Sequence, residues 1–279
     1  MEKISLSGEM ETLLIPLYGK AREMLQPYPF LRDPMAAEII DQVDMDFKAY
    51  NIPNKTNRLM SLRARIIDDY TSQLLKKHPD TLVLHLGCGL DSRVQRVKVA
   101  RKLWIDLDYP EVIRFRKKFF PEQERYQMIG SSVMDFSWMD QIPEHQGSVL
   151  VLAEGMMMYL RIEQAGSLLA AMRSRLGQCH VVFDVFSTAT AKRVHNHPSL
   201  KKVGVTQFWG VDDSREMEEW VDSLTWQEDL HFTNQPLLNE QPFMTRWLYR
   251  VTNHISAARN AHRIAVFKLG HSVDMKSTD

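Results

Sequence analysis

Two glycines and two acidic residues of this sequence each follow a short apolar run. Gly87 and Gly89, spaced by one residue, come directly after a run that ends at Leu86. Glycine allows a tight turn and lets a ligand approach the backbone closely. Asp106 follows the next apolar run, roughly 20 residues downstream, where a carboxylate can bind the hydroxyl groups of a ribose. Glu154 follows the fourth such run, and a carboxylate at such a point needs a partner or water.

The order of these features is more specific than the glycines alone. A plain tight turn would explain the two glycines, and Leu90 to Ser92 supplies no third glycine of a dinucleotide fingerprint. A strand, a glycine turn, a helix, a second strand and an acid together predict a nucleoside-cofactor site. Asp91 or Ser92 would cap the helix, and a helix-capping or loop-anchoring role is the structural alternative for Glu154.

The elements that would position these residues alternate along the chain. Apolar runs of strand length alternate with helical periodicity, which predicts a parallel sheet covered on both faces, an α/β doubly wound fold. We predict strands at 81–86, 103–105, 125–129, 148–153, 180–183 and 263–268. We predict helices at about 56–77, 110–119 and 162–176, the last ending at Gly177.

A single domain accounts for residues 1–279. Within it we predict a helical N-terminal cap (1–78), a cofactor-binding core (79–186), a lid or insertion that faces the substrate (187–262) and a last strand (263–270). The lid segment is rich in aromatic residues, a few of which would line an apolar pocket: Phe208, Trp209, Trp220, Trp226, Phe232, Phe243 and Trp247.

Composition excludes several classes of function. Lys+Arg and Asp+Glu each total 35, whereas a nucleic-acid-binding domain usually carries a basic excess. No apolar run approaches the roughly 20 residues of a membrane span, and the first residues lack a signal-peptide pattern. The two cysteines make no disulfide framework, so we expect a cytoplasmic protein. His195 and His197 lack the further ligands of a metal site, and we expect no metal.

Four ordered motifs resemble one known family. Gly87 to Arg93, Asp106 to Val112 and Glu154 to Leu160 resemble the three signatures of the leucine carboxyl methyltransferase family, and Arg63 to Asp69 resembles its upstream arginine motif. The family includes bacterial O-methyltransferases of polyketide biosynthesis, the tetracenomycin type. The resemblance covers about residues 11–160. It implies a class I methyltransferase fold, Rossmann-like, with a site for S-adenosylmethionine and its product S-adenosylhomocysteine.

The resemblance implies three contacts to the methionine part of this cofactor. Arg63 would meet the carboxylate, which suits a guanidinium fork. Glu154 would lie near the amino group, and Lys20 would be a further contact to the carboxylate. The alternative for Arg63 is a pair on the helix surface with Asp68 or Asp69.

Four further residues are implied as contacts to the adenosine part. Gly87 and Gly89 would form the floor of the site. Asp106 would hold the ribose, and Asp135 would lie near the adenine.

The predicted function is O-methylation of a carboxyl or hydroxyl group of a small molecule. A carboxylate acceptor is ionised near neutral pH and needs no base, whereas a hydroxyl acceptor benefits from one. No histidine has a spacing that identifies it as that base, and neither the acceptor nor an oligomeric state follows from the sequence. The alternatives are a protein carboxyl methyltransferase, an NAD-dependent oxidoreductase and a non-catalytic partner-binding protein of the same fold.

Overall fold

A seven-stranded sheet organises the computed structural model, which describes residues 9–43, 46–47, 52–195 and 209–270. The strands in chain order are β1 Leu82–Leu86, β2 Leu103–Asp108, β3 Tyr126–Gly130, β4 Val149–Ala153, β5 Cys179–Phe186, β6 Leu224–His231 and β7 His262–Leu269. Their order across the sheet is β3-β2-β1-β4-β5-β7-β6. β1 to β5 are parallel, and β7 runs antiparallel to both β5 and β6. The predicted doubly wound, mostly parallel α/β sheet is confirmed.

The strand order reverses between β1 and β4, which are hydrogen-bonded neighbours. In an open α/β sheet the ligand crevice lies at the carboxyl ends of the strands beside such a reversal. Gly87 follows β1 and Glu154 follows β4. The topology therefore places these two residues side by side at the mouth of the crevice.

Helices cover both faces of the sheet. They are α1 Glu9–Met24, α2 Pro34–Gln42, α3 Asn54–Lys77, α4 Arg93–Arg96, α5 Pro110–Arg116, α6 Ile162–Leu176, α7 Thr188–His195, α8 Phe243–Asn253 and α9 Ser256–Arg259. Short 3-10 helices span Phe136–Gln141, Met157–Tyr159, Ser214–Trp220 and Pro236–Glu240. No helix in the described ranges combines the length and apolarity that crossing a membrane requires.

The strands bury both of their faces, so successive residues enter two different cores. Leu84 and Ile105 pack in one core with residues of α6, and Val83 and Trp104 pack in the other with residues of α1 to α3. Burial of each large apolar side chain contributes about 1.5–3 kcal/mol. The two cores hold the carboxyl ends of the strands in fixed register.

The structure corrects three details of the predicted elements. β2 continues through Asp106 to Asp108, and β5 continues through Asp184 to Phe186, so neither acid ends its strand. β6, which lies in the segment predicted as a lid, was missed. Of its residues only Leu224 is buried, because the strand lies at the edge of the sheet, and a register shift follows Trp226, so it lacks the apolar run of a central strand. Phe208 of the predicted pocket lies outside the described residues.

Candidate cofactor-binding site

The turn after β1 is shaped by two glycines in the left-handed region. Gly87 has φ +62° and Gly89 has φ +50°, values that glycine adopts without a steric penalty. A Cβ on Gly87 would lie 2.7 Å from Cγ of Met156. The turn therefore packs directly against the loop after β4, and only a glycine fits there.

Arg63 enters the site from α3. Its Nε donates to Oε1 of Glu154 at 3.0 Å, and its Nη1 donates to Oδ2 of Asp184 at 2.9 Å. The N–H of Gly155 donates to the other oxygen of Asp184 at 2.6 Å. The alternative of a surface pair is wrong for Arg63; it describes Arg65 instead, whose Nε lies 2.9 Å from Oδ1 of Asp69 on the same helix.

Two more cations converge on Glu154. An ion pair joins Nη2 of Arg93 to Oε2 of Glu154, and Nζ of Lys20 lies 3.9 Å from Oε1. Burial alone would raise the pKa of Glu154, but Lys20, Arg63 and Arg93 outweigh it and lower the pKa to about 2. The carboxylate is therefore charged at neutral pH. Closely spaced opposite charges of this kind suit a ligand that carries both an ammonium and a carboxylate.

A second layer of ion pairs holds these groups in place. Nε of Arg93 donates to Asp68 at 2.6 Å, and Nε of Arg96 donates to the same carboxylate at 2.6 Å. Asp91 pairs with Lys20 and also accepts from the backbone N–H of Arg93 at 2.7 Å. Ser92 holds the N-cap position of the short helix α4 without a capping hydrogen bond from its side chain, so the carboxylate of Asp91 satisfies the first N–H of the helix instead.

Three buried residues of this network, Arg93, Asp68 and Asp184, were not predicted from the sequence as members of the site, and Asp68 was considered only as a surface partner of Arg63. Arg93 and Asp68 are members of the quoted motifs, so the signal was present, but a motif does not show which of its members face inward. Asp184 stands in the fifth apolar run, and a carboxylate inside such a run was the available signal.

Asp106 lies in the interior rather than at the edge. It is fully buried, and its Oδ1 accepts from Nε1 of Trp104 at 2.8 Å. Its Oδ2 accepts from Tyr126 at 2.6 Å and from Nε of Arg116 at 2.9 Å, while His85 lies 3.2 Å from Oδ1. The prediction that Asp106 ends its strand and presents its carboxylate to a ribose does not match this geometry, because protein donors already occupy both oxygens.

Asp108 is the acid at the carboxyl end of β2. Its Oδ2 accepts from the backbone N–H of Gly89 at 2.7 Å, and its Oδ1 accepts from the backbone N–H of Tyr109 at 2.8 Å. No arginine or lysine pairs with it among the described residues, and burial raises its pKa despite the two backbone hydrogen bonds. Asp108 therefore has the position, and the free acceptor capacity, that the sequence analysis expected of Asp106.

Asp135 is exposed, and in the part of the chain that the structure describes no hydrogen bond or ion pair joins its side chain to the other predicted residues. Its Oδ1 accepts from Oγ of Ser137 at 2.8 Å and caps the 3-10 helix Phe136–Gln141. The structure thus brings together Lys20, Arg63, Gly87, Gly89 and Glu154, and it leaves Asp135 on the loop after β3. Within the described ranges no group of three His, Cys, Asp or Glu side chains is arranged to hold a metal ion.

A histidine lies next to the Arg63 cluster. Nε2 of His262, at the start of β7, lies 2.9 Å from Oδ2 of Asp184. The ring packs between Phe186 and Phe232, with centroid distances of 4.3 and 4.5 Å. No local pattern in the sequence identifies His262, since its pairing with Asp184 depends on β5 and β7 being neighbours in the sheet.

Comparison with known proteins gives one family and two close relatives. The family model described as leucine carboxyl methyltransferase matches residues 14–173. The chain is 36% identical over 264 residues to the tetracenomycin polyketide synthesis O-methyltransferase TcmP of Streptomyces glaucescens, covering 94% of this chain and 97% of that protein. It is 31% identical over 250 residues to the S-adenosyl-L-methionine-dependent methyltransferase dpfgK of Gibberella zeae, covering 81% and 83%.

Solved structures share the fold at low sequence identity. A DUF574 family protein of Streptomyces avermitilis has a TM-score of 0.58 and 12% identity, covering 92% of this chain and 97% of that chain. A SAM-dependent methyltransferase of Anabaena variabilis has a TM-score of 0.51 and 14% identity, covering 74% and 84%. These likenesses concern the fold alone.

Proposed function

Since this chain belongs to the leucine carboxyl methyltransferase family and is an S-adenosylmethionine-dependent methyltransferase, we propose that it methylates an oxygen atom of a small molecule. The oxygen acceptor is supported by the 36% identity to a polyketide O-methyltransferase, and the cofactor is supported by the pair of Arg63 and Glu154, 3.0 Å apart beside the glycine turn at the strand reversal. A cationic fork and an anion at this spacing match the two charged ends of a methionine group.

The methionine end of the cofactor would lie at the ion-pair cluster. Arg63 would bind its carboxylate, with Lys20 as a further contact, and Glu154 would accept from its ammonium group. These groups pair with one another in the structure, so binding would exchange those internal pairs for pairs with the ligand. The side chains are already buried and positioned, which limits the entropy lost on binding.

The adenosine end would lie over the glycine turn and the ends of β2 and β3. Gly87 and Gly89 leave space where a Cβ would stand, and Asp108 would accept from the ribose hydroxyls through lone pairs that its two backbone hydrogen bonds leave free. Asp135 would face the adenine from the loop after β3. In this proposal Asp106 supports the ribose-binding acid from the interior.

The acceptor would be a small polyketide-like molecule with a carboxyl or hydroxyl oxygen. The relative of 36% identity is named for a polyketide O-methyltransferase, and both chains match over nearly their whole length. S-adenosylmethionine supplies an activated methyl group on sulfur, so the protein mainly positions the oxygen in line with it. Phe186 and Phe232, near the cluster, would provide apolar contact to a planar acceptor.

The segment 187–262 would form the acceptor side of the site. Within its described part, Nε1 of Trp209 donates to the carbonyl of Leu160 at 2.8 Å. The segment also carries Phe232 next to His262. We further expect a reducing, cytoplasmic location without a nucleic-acid partner, because both cysteines are free and buried and the formal net charge is +0.

The test combines binding with product analysis. Calorimetric titration should show binding of S-adenosylmethionine and S-adenosylhomocysteine and none of NAD. Incubation with isotopically labelled methyl donor and a set of aromatic polyketides should then place the label on oxygen, as an ether or an ester. Label found only on nitrogen or sulfur, or only on protein carboxyl groups, would remove the proposal of a small-molecule O-methyltransferase.

A further inference from the structure

A histidine–carboxylate pair, His262 and Asp184, lies beside the methionine end of the site. We propose that His262, oriented by Asp184, is the general base that takes the proton from a hydroxyl acceptor. The inference rests on the proposed function and narrows it, because a carboxylate acceptor is already ionised and requires no base. Asp184 is here a positioning residue.

The hydrogen bond fixes which ring nitrogen is available. Both oxygens of Asp184 are acceptors: Oδ1 takes the N–H of Gly155 at 2.6 Å, and Oδ2 takes Nη1 of Arg63 at 2.9 Å. Oδ2 therefore accepts a hydrogen bond from the N–H at Nε2 of His262 at 2.9 Å, which leaves the lone pair on Nδ1. In the part of the chain that the structure describes, no hydrogen bond engages Nδ1.

Packing fixes the orientation of the ring. Phe186 and Phe232 lie against it at 4.3 and 4.5 Å between centroids, so rotation of the imidazole would require both rings to move. The side chain of His262 remains 18% exposed. A buried, oriented histidine with one open edge is the arrangement that proton transfer requires.

The position fits the acceptor rather than the cofactor. His262 begins β7 and pairs with Phe186 at the carboxyl edge of β5. Arg63 links Asp184 to Glu154, so a single carboxylate separates His262 from the methionine-binding groups. The reactive methyl group belongs to that end of the cofactor, and an acceptor oxygen must approach it from the side.

Charges from three elements determine the protonation of His262. Burial lowers its pKa below the ordinary value, Asp184 on β5 and Glu154 after β4 raise it, and Arg63 on α3 lowers it, with a lowered pKa as the result. The ring is therefore neutral near pH 7, as a base must be. Burial also raises the pKa of Tyr159, which interacts with Arg63 and Asp184, above that of a free phenol, so this hydroxyl stays protonated and does not compete as a base.

The proposed methyl transfer is a single displacement in which every proton and electron pair is accounted for. The O–H bond of the acceptor breaks and its proton passes to Nδ1 of His262. The electron pair left on oxygen forms the bond to the methyl carbon, and the carbon–sulfur bond breaks with its pair retained by sulfur. The imidazolium is stabilised by the Asp184 carboxylate and afterwards releases the proton to water.

The first experiment compares 2-naphthol and 2-naphthoic acid as acceptors. We expect methyl transfer to the naphthol, and kcat about 100-fold lower in His262→Gln with the affinity for S-adenosylhomocysteine unchanged. The rate of the variant should recover as pH rises toward about 10, where a phenol ionises unaided. His231→Gln is the matched control, since among the described residues the ring of His231 hydrogen-bonds to the carbonyl of Arg259 and not to Asp184, and it should keep the wild-type rate.

The outcomes separate this inference from the proposed function. Methylation of 2-naphthoate alone, or a naphthol rate that His262→Gln leaves unchanged, overturns the base assignment and keeps O-methylation. Labelled methyl only on nitrogen or sulfur acceptors removes the proposed function itself.

A second measurement requires no acceptor. Nitrogen-15 NMR of the imidazole, with S-adenosylhomocysteine bound near pH 7, should show a protonated Nε2 and an unprotonated Nδ1. Asp184→Asn should change this tautomer preference. A proton on Nδ1 of the wild-type protein would overturn the proposal whichever probe is methylated.

Discussion

The backbone N–H of Gly89 donates a 2.7 Å hydrogen bond to Oδ2 of Asp108. This contact ties the glycine turn after β1 to the carboxyl end of β2. Cys88 adds a second tie, since its N–H donates to the carbonyl of Leu107 at 3.2 Å. The turn and the acid therefore form one rigid unit. We expect a substitution of Gly89 or Asp108 to change the affinity for the cofactor.

Asp108→Asn should weaken S-adenosylhomocysteine binding by roughly 10- to 100-fold. A hydrogen bond to a charged group contributes about 1.5–3 kcal/mol, which corresponds to that range of affinity. Isothermal titration calorimetry measures it. Asp222→Asn, at a side chain that is 96% exposed, is the control and should bind as wild type does. Equal affinity in Asp108→Asn would remove this residue from the ribose contact.

Asp106→Asn should act on stability. The guanidinium of Arg116 is fully buried and its Nε lies 2.9 Å from Asp106, so removal of the anionic charge leaves a buried cation without its partner. We expect the free energy of unfolding to fall by about 3–5 kcal/mol, measured by urea denaturation. Glu122→Gln breaks the half-exposed pair with Lys117 and should cost less than about 1 kcal/mol. If Asp106→Asn were as stable as the wild type but had lost affinity for the cofactor, Asp106 would be the residue that binds the ribose.

The comparison of Asp106 with Asp108 shows how far the sequence alone could lead. The glycine turn, the alternation of strands and helices and the family motifs predicted the sheet, and they predicted three members of the buried ion-pair cluster, Lys20, Arg63 and Glu154. The full length of β2 was not predicted, because Asp106 interrupts the apolar run and the strand continues beyond it through Leu107 and Asp108. In the sequence, an acid within an apolar run looks like the end of a strand. Asp106 can stay inside its strand because Arg116 and Tyr126, from other elements of the chain, pair with it.

The pair of His262 and Asp184 could not be predicted from the sequence for a related reason. His262 meets Asp184 only because β7 inserts antiparallel beside β5, and the distance between them in sequence carries no local signal. The polar outer strand β6 was missed for want of an apolar run. Local patterns predict elements, whereas pairings between distant elements follow from packing, which a single sequence does not specify.

Acid should destabilise the protein through Glu154. Its pKa falls from an ordinary value of 4.5 to about 2 in the folded protein, so its stabilising contribution is complete above about pH 4.5 and is lost as pH falls toward about 2. The unfolding free energy of the wild type should therefore decrease over this window, and that of Glu154→Gln should decrease less. Urea denaturation at several pH values measures both slopes. The variant Glu219→Gln, at an exposed site, should keep the wild-type slope; identical slopes in all three proteins would contradict the prediction.

Gly87→Ala should impair both stability and cofactor binding. Its φ of +62° lies in the left-handed region, and the added Cβ would lie 2.7 Å from Cγ of Met156. The left-handed backbone conformation costs a residue with a Cβ about 1–2 kcal/mol of stability. Displacement of Met156 deforms the turn that would receive the cofactor. Thermal unfolding and titration with S-adenosylhomocysteine measure the two effects.

Two matched variants separate the causes in Gly87→Ala. Gly177 also has a positive φ, +69°, but a Cβ there meets nothing within 4 Å, and the residue ends α6. Gly177→Ala should therefore lose stability and keep its cofactor affinity. Adding Met156→Ala to Gly87→Ala removes the close contact and should restore part of the affinity for the cofactor. The stability lost through the left-handed backbone conformation at position 87 should not return. If the double variant bound no better than Gly87→Ala alone, the steric account of the turn would be wrong, and the backbone conformation of Gly87 would itself be what the cofactor requires.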